Sequence, residues 1–595
     1  MCVMKIAISS KLAGAKKGRH EMTTAAFREK PFPLLCGMTL VGMSLCAGLA
    51  LHAGTNGFSA RLADPLEWLY ADSSLETTPP LDEIDIPLNG VAEANVLLCG
   101  LDADSPLSLR CDAEGAEWFR MKPVPVERNT GPDGMLEDPS RGVTNRFVTR
   151  RAPFRVYDAM EPILGDHLVP GAQAVALRVR LRGRLGSGRR TVVFSLSQGG
   201  RTVALPFKIR VHDVTVPPVG RDGFRYTNWI DWYGAMRCHG VRSYWSDSHF
   251  DVIARYMRLA AYGRQNVMPV PLFLKKDGDT DFDVPDEKLY ARFVDLATKE
   301  GFFWLEGSHL CGFSNGSWSD NSFRPRSRWR SPAEPPAPTN TTTSIEGAAR
   351  LARTASALAE MIERRGWRER WLQHVSDEPS THNAAEYRIT AGIVRKYMPG
   401  IRLVDAIEIP DLAGALDVYC PKNYKYELNA ADYEALRTRD TDEIWCYTCN
   451  FPGGKWMNRL LDQELVRSLY IPLGCHLFSL QGYLHWGLNR YSPERTPFDA
   501  GFSGNGPAGD RNIVYPGPDG PWPSVRLEAM RQGIEDFELL KMLSRIDRSA
   551  ADRLVRRVVR GFGDYTTRVA DYRAMRRALL ERLSCCNTAT NNGGE

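Results

Sequence analysis

From residue 222 onward the chain alternates short apolar runs with helical ones, and this rhythm constrains the fold more than any other feature. The strand candidates span 224–229, 267–273, 302–306, 371–376, 403–407, 415–419, 444–447 and 477–480. Helical spacing separates most of them, at 250–262, 345–364, 384–397, 430–436 and 460–470. In 345–364, for instance, Leu351, Ala355, Leu358, Ala359 and Ile362 share one face. Eight strands joined by helices within about 270 residues have the dimensions of a (β/α)8 TIM barrel, assigned here to 220–500. A doubly wound open sheet is the rival package, and the count of eight favours the barrel.

The segment before it, 60–216, reads as an antiparallel β-sandwich. Val175, Leu177, Val179 and Leu181 alternate with Ala176, Arg178, Arg180 and Arg182, so one face should be buried and the other wet. Val192, Phe194 and Leu196 alternate next. Gly199-Gly200 supplies the positive φ of a tight hairpin, and Val203, Leu205, Phe207, Ile209 and Val211 resume the pattern. Val216-Pro217-Pro218-Val219-Gly220 marks the boundary, because neither proline can donate to a ladder. The overall class is therefore α/β, a sandwich followed by a barrel and a helical C-terminal extension.

That extension, 501–584, is helical at 525–544, 551–560 and 566–583, and 585–595 is expected to be a disordered tail. Residues 311–344 interrupt the barrel rhythm with a stretch rich in Ser, Pro, Asn and Trp, including Pro332-Ala-Glu-Pro-Pro-Ala-Pro338. Two readings stand open: a lid on the face where barrels place their sites, or a tolerated surface excursion. At the other end, 1–53 reads as a leader. Arg28 and Lys30 precede an uncharged run from Pro33 to Ala50 that closes on small residues, the pattern of a secretory signal. A retained membrane anchor competes with it. Export is favoured, to a secreted, periplasmic or cell-surface location with no membrane span in the mature form.

Composition narrows the partners. The 595 residues are 43% hydrophobic and 25% charged, which suits a soluble multidomain protein. The net charge of +5 comes from 76 basic and 71 acidic side chains with no long basic run, so nucleic acid is not the expected partner. The 13 cysteines are scattered. Cys446-Tyr-Thr-Cys449 has the CxxC spacing but lacks a second pair or nearby histidines, and in a strand its sulfurs would face opposite ways. No metal and no cofactor are expected.

The segment that carries chemistry is Trp371-Leu-Gln-His-Val-Ser-Asp377-Glu378-Pro379. An apolar strand runs into two consecutive carboxyls, and Pro379 ends the extended run at the mouth of the fourth barrel strand. Neighbouring carboxyls repel when both are ionised, so one should hold its proton longer and give an acid beside a base. Glycosidic bond cleavage needs that division of labour. A helix N-cap would also explain two acids there.

The block Val514-Tyr-Pro-Gly-Pro-Asp-Gly-Pro-Trp-Pro-Ser-Val-Arg-Leu-Glu-Ala-Met-Arg-Gln-Gly-Ile-Glu-Asp-Phe-Glu-Leu-Leu540 resembles the C-terminal signature of the domain-of-unknown-function-4091 proteins. These are related to glycoside hydrolase family 123, the β-N-acetylgalactosaminidases. Asp377-Glu378-Pro379, Gly482-Tyr-Leu-His-Trp486 and the sandwich–barrel order resemble the same group over residues 150 to 545. The resemblance implies a retaining hydrolase of terminal β-linked N-acetylhexosamine in which the sugar's 2-acetamido oxygen is the nucleophile. Glu378 would be the general acid/base and Asp377 would orient the acetamido group. Other strand ends supply candidate substrate contacts: Trp229 and Trp232, His309, Lys422 and Asn423, Tyr447 and Asn450, Trp486 and Asn489. Tryptophan faces stack on sugar rings, and amides and hydroxyls bind their hydroxyls. Tyr447 would hold the acetamide oxygen and Trp486 would floor the pocket. Arg526, Arg531, Glu535 and Asp536 read instead as an ion-pair network tying their helix to the barrel. A glycosidase of the same fold on another sugar, or a non-catalytic glycan-binding protein, remains the alternative.

Overall fold

The computed structural model describes residues 57–171, 176–183, 185–330, 334–492, 495–499 and 506–591. The leader 1–53, Val175, Pro332 and Ala333 lie outside them. No helix among the described residues is long and apolar enough to cross a membrane.

The N-terminal region is two five-stranded sheets packed face to face. One orders Ser59–Ala63, Ala92–Cys99, Ala176–Leu181, Ala116–Val126 and Phe154–Pro162. The other orders Glu83–Pro87, Arg201–His212, Gly188–Gln198, Leu107–Cys111 and His167–Leu168. Leu177, Val179 and Leu181 meet Val192, Phe194 and Phe207 in the core between them. Gly199 (φ 57°) and Gly200 (φ 81°) close the hairpin, and Gln198 pairs with Arg201 across it. Two expectations change. Glu83–Pro87 runs parallel to Arg201–His212, so the sandwich is not wholly antiparallel. The face carrying Arg178 and Arg180 is not wet: they are 1% and 4% exposed. Arg178 pairs with Glu93, and Arg180 reaches Glu528 on a helix beyond the barrel. A period of two reports two unlike faces, and here the polar one is buried as ion pairs.

The barrel strands are β1 (Arg225–Asn228), β2 (Val267–Val270), β3 (Trp304–Gly307), β4 (Trp371–Gln373), β5 (Arg402–Ile407), β6 (Val418–Pro421), β7 (Glu443–Thr448) and β8 (Gly482–His485). They form one eight-stranded sheet in the order β1-β8-β7-β6-β5-β4-β3-β2, every ladder parallel. The sheet curls until β1 approaches β2, where the Asn266 N–H donates to the Tyr226 carbonyl at 3.3 Å. The barrel is nearly closed. Val267, Leu372, Val404, Val418, Trp445 and Leu484 form one buried cluster across six of its strands.

The eighth strand is not 477–480. Those residues end the helix Val466–Leu477 and turn through Ser479 at φ 56°, and the strand follows at Gly482. A short apolar run does not distinguish a strand from the end of a buried helix. The same helix starts six residues later than the expected 460 and carries Pro472 inside it. Beyond the barrel, Val525–Val555 is continuous apart from a kink at Asp547, and Val569–Asn591 follows. Helix therefore continues past 585 where a tail was expected, and 551–560 splits between the first helix and a strand, Val559–Gly561.

Insertion 311–344 begins as a hairpin, Cys311–Phe313 against Phe323–Pro325. Its first residues prolong the pairing of β3 with β4: Leu310 N–H donates to His374 O at 3.2 Å and Cys311 N–H to Val375 O at 2.9 Å. The loop thus leaves the barrel at the mouth, directly beside Asp377.

Candidate active site

Past β4 the backbone is held by β5. Both the Val375 and Ser376 N–H groups donate to Asp405 Oδ2, at 3.0 and 3.1 Å. Glu378 then adopts φ 42°, a left-handed conformation that costs a non-glycine residue about 1–3 kcal/mol. This turn sends the two consecutive carboxyls into different surroundings.

Asp377 keeps 28% of its side chain exposed and lines a cavity of about 390 Å³ with Trp229, Trp232, His309, Arg326 and Arg490. Burial, then the neighbouring Glu378 and Asp405, push its carboxyl up to about 7. The cavity's inner wall is a buried relay. His374 donates from Nδ1 to Asp405 at 2.5 Å and from Nε2 to Glu306 at 2.6 Å. Burial opposes its charge, but the two carboxylates outweigh that and raise it to about 10. Trp229 Nε1 donates to the same Glu306 oxygen at 2.8 Å, and Thr227 Oγ1 to the other at 2.5 Å. His309 stands over the relay, 3.5 Å from Asp405 and 3.9 Å from Asp377, with its Nε2 buried and unpaired. Burial, then the nearby His374, holds His309 far below the usual imidazole value.

Glu378 turns the other way. The Tyr447 hydroxyl donates to its Oε1, and Lys422 Nζ lies 3.4 Å from the same atom. Both groups also contact Glu408, where Lys425 joins them. Burial, then the Glu378 charge, drives the Tyr447 phenol well above its ordinary value, so it stays protonated and can donate to the carboxylate.

Trp229, Trp232 and His309 therefore gather around Asp377, and Lys422 and Tyr447 around Glu378. The remaining sequence candidates go elsewhere. Asn423 donates to the Met457 carbonyl at 2.9 Å, and Asn489 clamps the Asp231 backbone through both its N–H and its carbonyl. Asn450 reaches Met135 Sδ on a loop from the sandwich region. Trp486 donates to Asp510, and its ring faces Arg490 and Arg511. In place of a pocket floor it supports one cavity residue.

Among the described residues, His309, His374 and Asp405 bring metal-ligand atoms within 4.8 Å of one another. Both His374 nitrogens already carry hydrogens directed at carboxylates, and an imidazolium has no lone pair to give. The chemistry of the set fits a hydrogen-bonded relay.

Residues 344–543 match the family model described as the glycoside hydrolase 123 catalytic domain. That match spans β4 to β8 and the first part of the helix Val525–Val555. Among solved structures, a family 123 glycoside hydrolase from Clostridium perfringens, studied for glycolipid glycan hydrolysis, superposes with a TM-score of 0.64 at 11% identity. The match covers 90% of this chain and 97% of that one, and shows a shared fold. A β-D-glucuronidase of Dictyoglomus thermophilum reaches a TM-score of 0.31 at 10% identity, over 77% of this chain and 69% of its own. A Parabacteroides merdae β-glucuronidase reaches 0.30 at 8% identity, over 80% and 51%. No curated protein matches the sequence.

The barrel mouth contains residues that the sequence pattern did not single out: Glu306, His374, Asp405, Glu408, Arg326 and Arg490. Three had a signal. Glu306, His374 and Asp405 are ionisable residues within or directly after apolar barrel strands, where an unpaired charge would be prohibitive.

Proposed function

We propose that this protein is an exported β-N-acetylhexosaminidase that removes terminal β-linked N-acetylgalactosamine, with retention, using the substrate's acetamido oxygen as nucleophile. What carries the reading is the divergence of two consecutive carboxyls, one into a half-apolar cavity and one onto a Lys–Tyr pair. In the first step the acetamido oxygen bonds to the anomeric carbon, the glycosidic bond breaks, and Glu378 delivers a proton to the leaving oxygen. Asp377 accepts the amide N–H as positive charge develops on the oxazolinium. Water then opens that ring and returns its proton to Glu378. Substrate-assisted enzymes are exempt from the usual rule relating carboxyl separation to stereochemistry.

One observation favours a second reading. Asp377 keeps its proton to about pH 7, as a general acid would, and the two roles would then be exchanged. Leaving-group dependence separates them. With Glu378 as acid, Glu378→Gln should lose about 10²–10⁴-fold on aryl glycosides with poor leaving groups and much less on activated ones. Asp377→Asn should lose rate evenly across leaving groups. The opposite pattern exchanges the roles. A binding protein without turnover would be indifferent to both substitutions. A panel of aryl β-glycosides with and without the acetamido group tests the nucleophile; equal hydrolysis of both kinds would sink it. N-terminal sequencing of the protein recovered outside the cells tests export; an intact leader there, or retention in the membrane fraction, would contradict it.

A further inference from the structure

The proposed chemistry leaves two guanidinium groups of the Asp377 cavity unused. Arg326, in the insertion, donates from Nε to the Cys311 carbonyl at 3.2 Å. Arg490, beyond β8, donates from Nε to the Trp486 carbonyl at 3.1 Å and sits 5.2 Å from that ring's centre. Both line the cavity, and both lie near enough to Asp377 to feel its charge. Among the described residues neither has a carboxylate within ion-pair distance, whereas the buried Arg178, Arg180, Arg526 and Arg576 each face one. Asp231, close to Arg490, is engaged as the N-cap of the helix Trp232–Cys238.

An arginine anchored through Nε presents its two Nη groups as a fork of fixed orientation, the geometry that grips a carboxylate or sulfate. The other carboxylates of the wall do not oppose an incoming anion strongly. Glu306 is taken up by His374, Trp229 and Thr227, and Asp405 by His374, Tyr387 and two backbone N–H groups. Trp229 and Trp232 supply the apolar surface for the sugar ring itself.

We propose that the cavity selects an acidic glycan, whose terminal acetamido sugar bears a sulfate ester or is joined to a hexuronate, and that Arg326 and Arg490 bind the anionic group. This rests on the hydrolase reading above and adds the substrate class to it. The insertion then completes the pocket by contributing one of its two guanidinium groups.

The test compares aryl β-N-acetylgalactosaminides that are neutral, 4-sulfated or 6-sulfated, together with a disaccharide of N-acetylgalactosamine on a hexuronate, at low ionic strength. At least one anionic substrate should exceed the neutral one in kcat/KM by about tenfold or more. That ratio should fall toward one in Arg326→Gln and Arg490→Gln, and should shrink as salt is added. The sulfated and uronate arms tell the two sources of charge apart. If the neutral substrate is cleaved as fast as every anionic one, the proposal is overturned and the hydrolase reading stands. A preference that survives both substitutions also overturns it. Should no acetamido substrate turn over, the hydrolase reading fails, and calorimetry on the intact protein decides this proposal separately. N-acetylgalactosamine 4-sulfate, its 6-sulfate or the uronate disaccharide must bind more tightly than N-acetylgalactosamine; equal binding refutes it.

Discussion

His374 is held between Asp405 and Glu306 with both ring nitrogens donating, and all three side chains are buried. Replacing it by Gln leaves two buried carboxylates without their shared cation, a loss of ~3–5 kcal/mol by the usual cost of breaking a buried pair. Its pKa rises from 6.5 to about 10 on folding. The folded state thus binds the proton more tightly, so this stabilisation is complete below pH 6.5 and disappears as pH rises through 10. Denaturant unfolding of wild type and His374→Gln should differ most near pH 6 and converge in alkali; a gap that stays constant would show that packing, not charge, is what His374 contributes. Asp377 acts with the same sign from a carboxyl: raised from 3.8 to about 7, its ionisation costs stability across that window. Asp377→Asn should therefore be the more stable protein at pH 8, with the advantage gone at pH 4. At this scale the sequence singled out the Asp377–Glu378 carboxyl pair, because both residues are adjacent in the chain and follow a strand before a proline. The relay was harder to read. Glu306, His374 and Asp405 come from three strands, and which side chains meet inside a barrel depends on strand stagger that no local pattern encodes.

Elements were legible where periodicity was long. The helix expected at 345–364 is Ile345–Arg364, and that at 384–397 is Ala384–Tyr397. Periodicity failed for Val466–Leu477, which is buried along nearly its whole length and therefore shows no clear polar face to count from. Its close approach to Val525–Val555 was equally hidden. At Gly533 a Cβ would lie 2.1 Å from the Leu469 carbonyl oxygen, so the two helix backbones nearly touch. Helix propensity alone would reward Gly533→Ala by up to about 1 kcal/mol. Backbone overlap outweighs that gain. The substitution should destabilise by roughly 1–3 kcal/mol, since neither helix can withdraw from a close-packed core cheaply. Thermal unfolding measures the sign directly, and a raised midpoint would mean that the helices separate without cost.

Across the whole molecule, the C-terminal block 514–540 joins parts that the sequence pattern treats as separate. Arg526, expected to tie its helix to the barrel, does so through the Arg459 carbonyl at 2.9 Å, and it also donates to the Gly509 carbonyl at 2.7 Å. It also reaches the sandwich: Asp158, fully buried on strand Phe154–Pro162, accepts from Arg526 Nε at 3.0 Å and from the Tyr515 hydroxyl at 2.6 Å. Arg531 pairs with Glu528 and Glu535 and lies 3.6 Å from Glu93 of the sandwich, while Asp536 turns to Arg576 on the last helix. Period-two and period-3.6 patterns locate each region but carry no term for such cross-links, of which those to the sandwich join residues more than 300 positions apart. Asp158→Ala would leave Arg526 buried with carbonyl acceptors but no counter-charge, at a cost of ~3–5 kcal/mol. Because Asp158 lies in one region and Arg526 in the other, that loss falls on their coupling. Wild type should unfold in a single transition, and Asp158→Ala should release the sandwich first, giving two. Adding Arg526→Met should restore part of the loss, since an apolar side chain of similar length needs no partner there, and the double-mutant cycle then measures the coupling itself. Additive single losses, with one transition retained throughout, would mean that the apolar contacts between the regions bind them without this pair.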